Sequence, residues 1–287
     1  MYEKRNIYRK RGIAMKIAYT GWTWLIHHKD NYQYEFEQFL REASHLGYQA
    51  VENFAFIAKY FDNDAAAIKA MLDKYDLEMA NLYLHYTDDA EKDYESAVFY
   101  VDFMKKLGAT YMNLQGTMWH DAPSERPADK EKIAAYAQLS DRIGKLCKEN
   151  GLVACFHPHA QTAIFSQDQI DLFLSLTNPE YVSLCLDTAH TTIAHMDAVT
   201  AVKRFVSRIA YMHLKDVDAN ASGEFDDRPM ARFLPLGMGT VDFKGVVHAL
   251  KNGGYDGVLC VELDNPPVCN YHAAMVSREY LHNVLGM

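Results

Sequence analysis

Four apolar runs of this chain each end in a side chain able to hold a metal. They are Leu152-Val153-Ala154-Cys155-Phe156-His157, Val182-Ser183-Leu184-Cys185-Leu186-Asp187, Ile209-Ala210-Tyr211-Met212-His213 and Val258-Leu259-Cys260-Val261-Glu262. A lone His or Asp after a strand is usually a cap, but four such residues closing four consecutive runs are harder to explain singly, because buried carboxylates need partners. Two imidazoles and two carboxylates around a divalent ion make a formally neutral site, which leaves the ion a strong Lewis acid. Mixed nitrogen and oxygen donors suit manganese, cobalt, iron or zinc better than magnesium, which prefers oxygen throughout. Each ligand has a polar neighbour close behind it: His159 after His157, His190 after Asp187, and Lys215 after His213. Lys215 shares a strand face with His213, so its ammonium can reach an oxygen held at the metal. By the same alternation Cys155, Cys185, Tyr211 and Cys260 form a layer beneath the ligands. No closely spaced Cys pair exists to suggest a thiolate zinc site, so these thiols are read as core.

Such a site needs strands whose ends converge. Short continuous apolar runs bounded by turn signals suit strands buried on both faces of a parallel sheet. They occur at Lys16–Tyr19, Ala50–Glu52, Met79–Leu84, Tyr111–Gln115, Leu152–His157, Val182–Asp187, Ile209–Leu214 and Val258–Leu263. Amphipathic helical segments lie between them, at Tyr34–Leu46, Ala65–Tyr75, Ser96–Leu107, Lys130–Glu149, Gln167–Leu176 and Phe243–Asn252. His195, His248 and His282 also fall in segments read as helical. Strand and helix alternating throughout predict a closed α/β barrel with its chemistry at the C-terminal rim of the strands. The longest break, residues 215–242, follows the seventh strand and is expected over that rim as a lid or binding loop.

The 287 residues fit one such barrel, and 49% hydrophobic residues are ample for its core. No segment approaches the length of an apolar membrane span. A net charge of −9 argues against a nucleic-acid surface, which needs clustered Lys and Arg. The basic cluster of Lys4, Arg5, Arg9, Lys10 and Arg11 has no apolar stretch behind it to act as a signal-peptide core. Residues 1–14 are therefore read as a disordered or non-native tail and 15–287 as a single barrel domain. Five Cys, an odd number mostly inside apolar runs, fit buried thiols in a reducing cytoplasm. The oligomeric state, monomer or homo-oligomer, has no signature in the sequence.

From Met15 onward the chain resembles the sugar phosphate isomerase/epimerase superfamily, whose fold is the xylose-isomerase-like (β/α)8 TIM barrel. The motifs Phe156-His157-Pro158-His159-Ala160-Gln161-Thr162, Leu186-Asp187-Thr188-Ala189-His190, His213-Leu214-Lys215-Asp216-Val217, Gly237-Met238-Gly239-Thr240-Val241-Asp242-Phe243 and Gly254-Tyr255-Asp256-Gly257-Val258 look most like its inosose dehydratase branch. The resemblance implies a divalent metal held by His157, Asp187, His213 and Glu262. Many superfamily members carry Glu where this chain has His157, and epimerases use that Glu and the last-strand Glu as bases on opposite substrate faces. The departure therefore favours a dehydratase, which would remove a proton beside a carbonyl and then expel a β-hydroxyl from a keto-cyclitol or keto-sugar. In that reading His190 or Glu262 is the base, Lys215 stabilises developing oxyanion charge and His159 is the acid for departing water. Trp22, Glu52, His85, Gln115 and Trp119, at or just after the first four strand ends, are expected to bind sugar faces and hydroxyls, with Arg232 of the long loop. The alternatives are a metal-dependent ketose isomerase or epimerase, and a noncatalytic sugar-binding barrel.

Overall fold

The buried apolar runs become strands: β1 (Lys16–Thr20), β2 (Ala50–Phe54), β3 (Glu78–His85), β4 (Tyr111–Gln115), β5 (Val153–Phe156), β6 (Val182–Asp187), β7 (Ile209–Leu214) and, near the end, β10 (Val258–Val261). Two short strands, β8 (Asp216–Val217) and β9 (Phe233–Leu234), pair antiparallel beside them. The helices are α1 (Trp22–Leu25), α2 (Tyr32–His45), α3 (Ile57–Tyr60), α4 (Ala65–Lys74), α5 (Ala90–Leu107) and α6 (Lys130–Glu149). They continue with α7 (Gln167–Leu176), α8 (Thr188–Ile193), α9 (Ala198–Phe205), α10 (Phe243–Asn252) and α11 (Asn270–Asn283). The computed structural model describes residues 15–25, 31–120, 126–220 and 233–287. Residues 1–14, expected as a tail, and Arg232 lie outside the described residues. No described helix is long and apolar enough to cross a membrane.

The eight long strands close into a parallel barrel in the order β1-β10-β7-β6-β5-β4-β3-β2. Sequential neighbours pair all the way round, and β1 closes on β10 through Lys16 opposite Val258 and Ala18 opposite Cys260. Apolar helix faces pack on the outside of this sheet, for example Phe36, Phe39 and Leu40 of α2, all fully buried. The inward face holds a second, smaller cluster: Ala18, Ala50, Ala80, Cys155, Cys185, Tyr211, Val258 and Cys260. This is the layer expected beneath the ligands, and four of its members precede them by two positions.

Asp side chains start many of the helices. Asp64, Asp89, Asp129, Asp197 and Asp242 each accept a backbone N–H of the first turn, as N-caps should. Gly108 and Gly151 end α5 and α6 with φ of 74° and 80° and open space where a Cβ would stand, so their backbone conformation demands glycine rather than any shortage of room. Five helices, α1, α3, α8, α9 and α11, lie outside the six predicted ranges, although His282, read as helical, does fall within α11. α9 is only eight residues long, and the buried side of α11 is Ala273, Ala274, Ser277 and Leu281, too small and polar for a clear apolar stripe. His195 is not helical: it sits in a turn with φ of 57°.

The candidate metal centre

At the C-terminal rim each predicted ligand has one side-chain atom engaged by the protein and another left over. His157 follows β5, and its Nδ1 lies 3.1 Å from the Cys185 carbonyl oxygen. A carbonyl only accepts, so Nδ1 carries the proton and Nε2 a lone pair, which is buried without a partner. Burial holds this imidazole well below its ordinary pKa, in the neutral form that binds metals. Asp187 ends β6 and caps α8: its Oδ1 accepts the His190 N–H at 2.7 Å, and its Oδ2 is buried and unpartnered. His213 of β7 places Nε2 3.0 Å from Glu52 Oε2, so that nitrogen donates and Nδ1 is the one turned to the site. Glu262 continues β10 by donating its N–H to the Leu214 carbonyl at 3.0 Å, with Oε2 free of hydrogen bonds.

His213 Nδ1 lies 2.8 Å from Glu262 Oε2 and 3.8 Å from Asp187 Oδ2, yet none of these atoms makes an aligned hydrogen bond. Asp187, His213 and Glu262 can place ligand atoms within 4.8 Å of one another, and His157 and His213 do so together with Cys185. Buried carboxylates crowded in this way repel. Burial pushes the Asp187 carboxyl up to about 7, with Glu262 adding to the shift and Lys215 opposing it. A cation at this point would answer all four unused atoms, so the donor set fits a divalent metal. The thiols do not compete: burial pushes Cys185 up to about 12 and holds Cys155 and Cys260 well above the ordinary thiol range.

Behind the ligands stands a buried charge cluster. Lys215 Nζ lies 2.6 Å from Asp264 Oδ2, 3.4 Å from Glu262 Oε1 and 4.3 Å from the centre of the Phe233 ring. Burial opposes its charge, but Asp264, Glu262 and Asp187 outweigh it and keep the ammonium protonated. Asp216, next in the chain, takes no part in this pairing. Asp216 instead accepts the N–H groups of Gly237, Gly239 and Val241 at 2.9, 2.9 and 3.2 Å, and so shapes the loop after β9. Asp264 is the residue that the sequence reading missed. Its signal was present, since it follows Glu262 by two as Lys215 follows His213.

His159 and His190 pack at 3.7 Å between ring centres. His159 Nδ1 lies 2.6 Å from the Ala160 carbonyl oxygen, so it bears the proton and Nε2 is an acceptor. Burial, helped by Lys215, pushes this imidazole down to about 3. A neutral His159 therefore offers a lone pair at Nε2. His190 Nδ1 accepts the Ala160 N–H at 3.4 Å, and its Nε2 is buried without a partner.

A cleft of about 590 Å³ opens beside these groups, lined among others by Trp22, His85, Gln115, His159, Glu262 and Asp264. It gathers Trp22, His85 and Gln115 as expected. Glu52 is a correction: only 1% exposed, it lies under the rim, where its Oε2 accepts from Asn81 Nδ2 at 2.6 Å and Asn113 Nδ2 at 3.3 Å as well as from His213. It therefore holds His213 and does not line the cleft. Trp119 is a second correction: it is absent from the cleft lining, and the Arg126 guanidinium stacks over its ring at 4.3 Å. Met118 and His120 line the cleft in its place.

The family model for xylose isomerase-like TIM barrels matches residues 40–281. The inosose dehydratase of Geobacillus kaustophilus (strain HTA426) is 27% identical over 275 residues, covering 88% of each chain. That of Mesomycoplasma hyopneumoniae (strain 7448) is 29% identical over 250 residues, covering 81% of this chain and 82% of its own. Among solved structures, the IOLI protein with a bound zinc atom superposes with a TM-score of 0.75 at 17% identity, over 95% of this chain and 98% of its own.

Proposed function

Because the chain belongs to the xylose isomerase-like TIM barrel family, we propose that it is a metal-dependent lyase that removes water from a keto-cyclitol or keto-sugar of the inosose type. Its inosose dehydratase relatives, matched over more than four-fifths of their length, support that substrate class. The observation that carries the metal is the set of four converging buried atoms without an aligned hydrogen bond, His157 Nε2, Asp187 Oδ2, His213 Nδ1 and Glu262 Oε2, the last two only 2.8 Å apart. These would hold the divalent ion, and their mixed donors favour manganese, cobalt, iron or zinc. When bound, the ion supplies Lewis acidity at the substrate carbonyl and its neighbouring hydroxyl.

The remaining steps fall to the chain's own groups. His159 lines the cleft with its Nε2 lone pair and takes the proton beside the carbonyl; once protonated, it can return that proton to the departing hydroxyl. His190 packs behind it and keeps the ring in place. The Lys215 ammonium, buried behind two carboxylates that line the cleft, offsets their negative charge where oxyanion charge would develop. An epimerase working with two carboxylate bases lacks its second one here, since His157 stands at that position with its Nδ1 committed to the Cys185 carbonyl. Residues 15–287 act in this reading as one catalytic domain.

The test is to incubate metal-reconstituted protein with 2-keto-myo-inositol in heavy water and follow products by NMR. Loss of water to an unsaturated ketone is expected. Deuterium exchange with an epimer as sole product would replace this reading with isomerisation.

A further inference from the structure

An unbroken aromatic run leads from the metal ligands to the outer rim of the cleft. Tyr83 stacks on the His213 ring at 6.0 Å and 17°. Phe54 lies 5.6 Å from Tyr83, Phe56 stacks on Phe54 at 5.3 Å, and Tyr60 follows at 6.2 Å from Phe56. Trp22 meets Phe54 from the other side at 5.8 Å. Phe56 is 37% exposed although it is a large apolar ring. A cyclitol carries oxygen on every carbon and needs polar partners. The inner end of the cleft supplies them through Gln115, His159, Glu262 and Asp264, whereas the outer end offers rings. A volume of about 590 Å³ is also in the range that holds a ligand larger than one six-membered ring. Lys59 also lines the cleft beside Tyr60, and within the ring cluster Trp22 Nε1 is buried and has no hydrogen-bond partner, a donor that lacks its acceptor.

Resting on the lyase reading, we propose that the preferred substrate is an aryl glycoside whose sugar ring carries a ketone at C3, with the aryl group on the aromatic run and a glycosidic or ring oxygen accepting from Trp22 Nε1. The chemistry is the same elimination with a phenol in place of water. The proton at C2 is removed, its electron pair forms the C1=C2 bond, the C1–O bond to the aryl oxygen breaks, and that oxygen leaves with a proton as the free phenol. Atoms and electrons balance without any redox partner.

Direct binding separates this from the parent reading. Calorimetric titration of metal-loaded protein with phenyl and methyl β-glucosides, which lack the ketone and do not react, should give at least about tenfold tighter binding of the phenyl compound, the scale of one well-stacked ring. Phe56→Ala, at an exposed position, should shrink that ratio to about twofold or less, and Trp22→Phe should weaken the phenyl compound without loss of fold. Phenol should be released from phenyl 3-keto-β-glucoside. Equal binding of the two glucosides, equal weakening of both by Phe56→Ala, or phenyl preference without phenol release would each overturn the proposal. Failure to dehydrate 2-keto-myo-inositol, with phenyl preference and phenol release both seen, would sink the inosose reading and leave this one standing.

Discussion

Replacing Glu52 by Gln tests whether a residue outside the ligand set governs metal affinity. Glu52 Oε2 accepts from His213 Nε2, Asn81 Nδ2 and Asn113 Nδ2 at 3.0, 2.6 and 3.3 Å. The first of these contacts fixes the proton on Nε2 and so leaves Nδ1 for the metal. Gln has the same shape, and its amide oxygen can keep accepting from these donors, so the fold should survive. What disappears is the negative charge that makes His213 a stronger donor to a cation. Losing such a partner typically weakens metal binding about 10- to 100-fold, which is roughly 1.4 to 2.7 kcal/mol. Glu52→Ala would be a poorer probe, because it strands buried donors at about 1 to 3 kcal/mol each. The assay is competition of wild type and Glu52→Gln against a chromogenic zinc chelator, with urea denaturation of both metal-free proteins as the control for folding. A metal Kd within about twofold of wild type, in a variant of wild-type stability, would refute the assignment of His213 Nδ1 as a ligand tuned by Glu52.

Glu262→Gln removes a ligand outright and should lower metal content and dehydration together, as metal analysis after dialysis and turnover will show; full activity in metal-free protein would end the metal reading. Cys185→Ala should cost about 1 to 2 kcal/mol in urea denaturation through lost packing, with metal stoichiometry unchanged. Alkylation by iodoacetamide at pH 8 should label one thiol in the native protein, the exposed Cys269, and all five after denaturation. The sign follows from burial, which pushes Cys147 up to about 12 and so leaves it a protonated, unreactive thiol at that pH. Lys215→Met leaves the Glu262 and Asp264 carboxylates buried without their cation and should destabilise the metal-free protein by about 3 to 5 kcal/mol; a loss under about 1 kcal/mol in chemical denaturation would mean that one of them is protonated there.

Much of this molecule follows from local pattern. Apolar runs of four to eight residues alternating with amphipathic helices determine a closed parallel barrel, because strands buried on both faces have few other arrangements. Period-two alternation then decides that His157, Asp187, His213 and Glu262 stand above Cys155, Cys185, Tyr211 and Cys260. Pattern is silent wherever a contact joins strands far apart in the chain. Glu52 reads as a rim residue from its strand-end position, but the irregular register between β2 and β3 and the closure of the barrel carry it under His213, 161 residues away. Asp264 has the right spacing, yet only packing against Lys215 gives it a role. Which nitrogen of each imidazole is left for a metal depends on the Cys185 carbonyl for His157 and on Glu52 for His213. In the aromatic run from Tyr83 to Tyr60, Phe54, Phe56 and Tyr60 are near neighbours in the chain, and only Tyr83 of β3 joins them through folding. Residue type and spacing determine which chemistry the chain can carry, because they act through neighbours a few positions apart. Tertiary structure decides which lone pair, charge and ring faces the cleft, because those are set by partners that the chain reaches only on folding.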